Sequence, residues 1–164
     1  MSSFEVPTTW FHGSESMFDA FDFRLIGGST GVRSPGFWFS DSHHAAGYFG
    51  PCRATCALEL SNPLVVTPED REQADEQIQG NWCRSPSAWA KHAASRGHDA
   101  VILVDVCDGD VYSTVVCVFD PERVTIHKWE EPEPDPLDEP EKVEVSEVRP
   151  PQEDVASPQM RFKF

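Results

Sequence analysis

Two runs, Trp10-Phe11-His12-Gly13-Ser14 and Gly36-Phe37-Trp38-Phe39-Ser40-Asp41-Ser42-His43-His44-Ala45-Ala46-Gly47-Tyr48, decide how this chain is read. In the first, a histidine ends an apolar stretch and a glycine follows it. That order sets an imidazole donor and acceptor beside backbone that a ligand can approach closely. The second run reads as a strand at Phe37–Phe39 and then a short helix capped by Asp41, carrying Ala45, Ala46 and Tyr48. Its aromatic residues stand at the strand end and on the first helical turns, where both can line one cleft. Taken singly, each run has a plainer reading, since aromatic runs more often fill a core than hold a ligand.

The same alternation of strand and turn signals continues outward. Thr8–His12 reads as a first strand ending at Gly13, and a loop rich in Gly and Ser fills Ile26–Pro35, with Gly27, Gly28 and Gly31. Arg53–Leu60 alternates Ala54, Cys56, Leu58 and Leu60 on one face, which is a strand period. After the turn Ser61-Asn62-Pro63, Leu64–Val66 continues as a strand. Thr67 caps a helix with Pro68 at its first position and Gly80 as its stop. Ser85-Pro86 repeats that start, with Trp89, Ala93 and Ala94 as the inner stripe before Gly97. Ala100–Val106 and Val111–Phe119 are strong β runs joined by Cys107-Asp108-Gly109-Asp110, whose Asp-Gly is a hairpin signal. Arg123–His127 is the last strand. The expected class is α+β: an antiparallel sheet with short helices around it.

Composition narrows the function. In 164 residues, 39% hydrophobic and 11% aromatic side chains are enough for a core, while the formal net charge is −15. A surface that negative repels phosphate backbones and anionic membranes, which argues against nucleic acid and against membrane docking. No run of about 18 apolar residues appears, so no spanning helix is expected. The opening residues lack the basic and apolar stretches of a secretory signal, and a cytoplasmic monomer is expected. Cys52, Cys56, Cys83, Cys107 and Cys117 are odd in number, which favours free thiols over a disulfide framework. Cys52, Cys56, His43 and His44 lack the spacing of a zinc site, so no metal is expected. From Glu130 onward the chain is acidic and holds half of its 14 prolines. It cannot bury enough apolar surface to offset the ordering entropy. The expected division is a domain at 1–128 and a disordered acidic tail at 129–164, which solubilises, mimics an acidic polymer or docks a basic partner.

Together, in this order and spacing, the two runs resemble the His-Tyr-Glu branch of the ADP-ribosyltransferase superfamily. Arg96-Gly97-His98-Asp99-Ala100-Val101-Ile102 is similar to a strand entry in its small bacterial and phage members, and Val118-Phe119-Asp120-Pro121-Glu122-Arg123-Val124 to their closing hairpin. The resemblance covers about residues 8–128. It implies a split antiparallel sheet around a cleft for NAD, which serves as substrate. His12 would hydrogen-bond the adenosine ribose, and Gly13 main chain would pair with the nicotinamide carboxamide beside Ser14. Tyr48 would stack on the nicotinamide ring. Trp38 and Phe39 would form the other wall, and Arg33 would offset the pyrophosphate charge.

Nicotinamide displacement passes through an oxocarbenium-like state that a carboxylate stabilises. The family's glutamate position falls here on Val115, which cannot act. Asp110, then Asp108, in the preceding turn are the nearest carboxylates, displaced as in the type I-F anti-CRISPR ADP-ribosyltransferases. Both also read as ordinary turn aspartates, in which case the chain binds NAD without turnover or uses Glu59. The implied activity is mono-ADP-ribosylation of a target protein by a phage or bacterial effector. A small-molecule acceptor of the rifamycin type, a nucleic-acid acceptor and a non-catalytic binding module are the alternatives.

Overall fold

A computed structural model describes residues 4–26, 34–77 and 86–132. Seven strands follow the apolar runs in chain order: β1 (Trp10–Ser14), β2 (Phe37–Ser40), β3 (Cys52–Leu58), β4 (Pro63–Val66), β5 (Ala100–Asp108), β6 (Val111–Val118) and β7 (Val124–Glu130). They form one sheet in the order β4-β5-β6-β2-β1-β3-β7. All neighbours are antiparallel except β4 and β5, which run parallel from Pro63↔Ala100 to Val66↔Leu103. A parallel pair needs a long crossover. Helices α2 (Pro68–Gln77) and α3 (Pro86–Ser95) lie in the connection between β4 and β5. The class is α+β, as expected.

Strand alternation sorts the side chains onto two faces. One face gathers Trp10, Phe21, Phe37, Phe39, Ala54, Cys56, Ala100, Ile102, Val116 and Val118. Phe18 and Phe21 close over it, with edge-on ring contacts of Phe18 to Trp129 at 4.9 Å and of Phe21 to Phe37 at 5.1 Å. Each such pair adds about 0.5–1.5 kcal/mol beyond simple burial. The other face packs Val66, Val101, Leu103, Val115 and Cys117 against Trp89, Ala90 and Ala93 of α3. Ala90, and not Ala94, therefore completes the buried stripe of that helix. Cys52, Cys56 and Cys117 are buried free thiols and Cys107 is an exposed one.

Short-range chemistry sets the element ends. Thr67 Oγ1 accepts the Asp70 amide at 3.2 Å, and Asp70 Oδ2 accepts the Thr67 amide at 2.8 Å, so each caps the other at the start of α2. Helix α1 (His43–Ala46) is capped by Ser42, whose Oγ accepts the Ala45 amide at 3.2 Å. Asp41, the expected cap, instead prolongs the β2–β6 ladder. It donates its amide to the Thr114 carbonyl at 2.9 Å and accepts the Thr114 amide on Oδ1 at 2.9 Å. A 3-10 turn, Gly47–Phe49, follows α1.

The sheet is irregular in two places that matter below. Strands β1 and β2 share a single register pair, Phe11↔Ser40, whereas β1 and β3 are paired from Trp10↔Cys56 to Ser14↔Cys52. The sheet is thus two ladders joined at one rung. The second irregularity is in β5, whose register against β6 shifts between Leu103 and Val106, with Asp105 at φ 54. Such a bulge bends its strand and increases the local twist. Arg71 of α2 holds it, donating to the Val104 carbonyl at 2.7 Å and the Asp105 carbonyl at 3.1 Å. Beyond the bulge the two strands resume pairing up to Asp108↔Val111. Gly109 makes the turn at φ 64, with Asp110 at negative φ, as a hairpin with Gly at the first central position requires.

Candidate active site

At the seam between β1 and β2, continuing the Phe11↔Ser40 register would set Gly13 opposite Trp38, but no such pair forms. The Trp38 carbonyl is taken by the His12 imidazole, whose Nδ1 lies 2.8 Å from it. A carbonyl only accepts, so Nδ1 carries the proton and Nε2 presents its lone pair. Burial lowers the proton affinity of His12, with the Trp38 bond partly opposing that, and the ring stays neutral at pH 7. Phe21, at a centroid distance of 4.9 Å, and Phe39, at 5.4 Å, fix the ring from the core side. Nε2 has no partner among the described residues.

Gly13 is a glycine because α1 crosses directly above it. A Cβ built there would lie 1.8 Å from the Ala46 carbonyl oxygen. The same crossing brings the 3-10 turn over β1 and points Tyr48 toward the β5–β6 hairpin. The Tyr48 hydroxyl donates to Asp110 Oδ1, a residue 62 positions away, and lies 3.2 Å from His44 Nε2. Gly109 backs the phenol ring, since a Cβ there would meet ring carbons at 3.5 Å and beyond. The bond to Asp110 raises the Tyr48 hydroxyl above its ordinary pKa and holds the Asp110 carboxyl below its own. Asp108, half-buried in the last rung of the hairpin, is pushed the other way by desolvation. Two carboxyl groups on one turn are therefore driven apart in acidity, with Asp110 the readily ionised one.

Of the residues singled out in the sequence, the structure brings Tyr48 and Asp110 into contact and joins His12 to the main chain of Trp38. It does not bring His12 against Tyr48. The imidazole shares the face of Trp10 and Phe39, whereas α1 packs on the opposite face, against Phe11 and Gly13, with Phe11 and His43 rings 5.3 Å apart. A ligand touching both would have to pass through the seam. Phe39 is only 2% exposed and supports the His12 ring from the core, so it does not form a cleft wall. Trp38 is half-buried, its indole donating to Ser34 Oγ at 3.0 Å. Ser14 is half-buried at the end of β1, its Oγ accepting the Ser16 amide at 3.4 Å. Glu59 follows β3 on the side of β7, its amide bonded to the Arg123 carbonyl at 3.0 Å, with β1 and β2 between it and the hairpin strands. Arg33 lies outside the described residues. Among those residues no three His, Cys, Asp or Glu side chains gather as metal ligands, and no helix is long and apolar enough to cross a membrane.

Two further groups belong to this region. His44 was legible as one turn before Tyr48, the spacing at which side chains meet on a helix. Arg53 was not, because its neighbours are set by strand register. It stands opposite Gly13 in β3, and its guanidinium packs under Gly47.

Fold and site together define an α+β protein with a sheet split at one rung and a tyrosine–aspartate pair beside the split. Neither a protein-family model nor a curated protein matches the chain. Among solved structures it is similar to an anti-CRISPR protein at 16% identity and TM-score 0.39, over 72% of this chain and 92% of the other. It is also similar to a structure of the M. tuberculosis MbcT–MbcA toxin–antitoxin complex at 14% identity and TM-score 0.45, over 76% of this chain and 82% of the other. Both scores are below 0.5, and the functional reading rests on the residues alone.

Proposed function

We propose that this chain is an NAD-dependent mono-ADP-ribosyltransferase that modifies a target protein, with Asp110 as its carboxylate. The observation that carries this reading is the contact of Tyr48 with Asp110. Two residues singled out for one reaction, far apart in sequence, share a hydrogen bond. Beside that pair the Gly13 backbone lacks a strand partner toward β2 and the Tyr48 side chain is half exposed, while His12, on the other face of the sheet, is not placed in this site.

In the reaction, the bond between the ribose anomeric carbon and the nicotinamide nitrogen breaks, and nicotinamide leaves with the bonding pair. A nucleophilic side chain of the target forms the new bond to that carbon and loses a proton. Asp110, held ionised, stabilises the positive charge that develops on the ribose. Its carboxylate can take the proton from the nucleophile, passing it on to water. Tyr48 orients Asp110 in the free protein and, once NAD enters, offers its ring to the nicotinamide. Holding both reactants in line supplies much of the remaining acceleration.

Incubation with NAD labelled in the adenylate part, together with candidate acceptors, tests the reading. A labelled protein band and released nicotinamide are expected. Asp110→Asn should lower turnover by about 10²–10³-fold, the usual cost of one electrostatic stabiliser. A full loss in Asp108→Asn with Asp110→Asn unaffected would move the role to Asp108. Absence of nicotinamide release from the wild type, with every acceptor class tried, would leave a binding module.

A further inference from the structure

Arg53 has an environment that its surroundings do not account for. Its Nε is enclosed by protein and has no hydrogen-bond partner. An enclosed donor without an acceptor costs about 1–3 kcal/mol. Such groups are rare enough in native proteins that each calls for a ligand or an ordered water. The acid that faces it across the sheet is Glu130, in register with Arg53. Glu130 is already committed: Lys128 Nζ lies 2.7 Å from one oxygen and His43 Nε2 lies 2.5 Å from the other. Hydrogen bonds from Lys128 and then His43 hold its carboxyl down to about 2, Lys128 the stronger. The other half-buried arginines of the described chain are both satisfied. Arg71 donates to two carbonyls, and Arg123 donates to Glu59, Ser61 and Asp99. In a chain of net charge −15, a half-buried guanidinium with no acceptor stands out.

The position adds the second part. Arg53 shares a face with Gly13, its partner in register, and that face is the one α1 crosses. A Cβ on Gly47 would lie 2.4 Å from Nη2 and 2.8 Å from Nε, so the guanidinium fills the space left by that glycine. Gly47 precedes Tyr48 directly. Only Nε is enclosed without a partner, so the terminal nitrogens of a half-buried residue reach the outside. A planar fork of free N–H donors beside a backbone turn is suited to bidentate capture of a phosphate.

We infer that Arg53 is the anion-binding residue of this site and takes a phosphate group; on the reading proposed above, that group is the pyrophosphate of NAD. Positive charge is thereby supplied next to Tyr48 on an acidic chain. Inorganic pyrophosphate and ADP-ribose are the probes, and thermal shift and calorimetric binding on the full chain are the readouts.

For the wild type, both probes are expected to raise the melting temperature. Arg53→Met keeps the volume and removes the enclosed donor, so it should melt no lower than wild type while binding both probes about 10- to 100-fold more weakly. Arg53→Lys, which keeps the charge but loses the fork, should fall between them. Gly47→Ala serves as a second variant: it displaces the guanidinium without removing charge and should also weaken both probes. Binding of pyrophosphate but not ADP-ribose, dependent on Arg53, would support the anion site and count against the dinucleotide reading. Equal response of wild type and Arg53→Met to both probes, or no response of the wild type to either, would overturn the inference.

Discussion

At the residue scale, the contact between Tyr48 and Asp110 makes a spectroscopic prediction that does not need turnover. The phenol is held above its ordinary pKa chiefly because it donates to an ionised carboxylate. Removing that charge should lower the phenol pKa toward the ordinary tyrosine value of about 10. The chain has only 2 tyrosines, so ultraviolet titration of Asp110→Asn in a Tyr112→Phe background reports Tyr48 alone. An unchanged titration would mean that the two residues do not meet in solution. His12 gives a second test. Burial holds its folded-state pKa below the ordinary histidine value of about 6.5, so the unfolded chain binds a proton more readily than the folded one. Its contribution to stability is complete above about pH 6.5 and is lost as pH falls through that value toward the folded pKa. Between pH 7 and pH 5 the wild-type melting temperature should therefore fall more steeply than that of His12→Gln. Gly13→Ala tests the crossing of α1. Its Cβ would meet backbone, which cannot rotate away, and a loss of about 1–3 kcal/mol is expected in denaturant unfolding.

At the element scale, the bulge in β5 governs where the hairpin turn arrives. Arg71 ties both bulged carbonyls to α2, and the arm beyond them carries Asp108, Gly109 and Asp110. Arg71→Ala should loosen the arm and lower the Tyr48 phenol pKa in the same titration, with only a small change in melting temperature. A phenol pKa identical to wild type would show that the arm holds its place without that clamp. Ala100–Val106 and Val111–Phe119 announce their strands because β-branched residues run almost unbroken through them, and Asp108-Gly109 marks the joint. Thr67-Pro68 likewise marks a helix start through local capping and proline chemistry, and Pro86 stands at the first position of α3. Nothing local marks the bulge: Asp105 sits in an otherwise regular run, and its partner Arg71 comes from another element. Asp41 departs from its expected capping role for the same reason. Its side chain suits a helix cap, but the β2–β6 register offered it a partner in Thr114. Arg53 is a polar residue at the start of an alternating strand and reads as solvent-facing until the register sets it against Gly13 and under Gly47.

At the scale of the whole molecule, the sheet holds together in two unequal ways. Within each ladder, strands share several consecutive pairs, while Phe11↔Ser40 alone joins β1 to β2. Amide hydrogen exchange should reflect this, with Val116–Val118 and Ala54–Cys56 protected most strongly and the Gly13 and Trp38 amides exchanging well ahead of them. Uniform protection across β1 and β2 would contradict the split. The outer strands behave differently from this open middle. β4 is short and begins at Pro63, which has no N–H to offer, and β7 places His127 and Lys128 outward along its length. Proline, brevity and charge are the devices by which natural sheets resist edge-to-edge polymerisation. A sheet of seven strands with both rims blunted in this way is poorly suited to growing fibrils, even though its interior runs are among the most β-prone sequences a chain can carry.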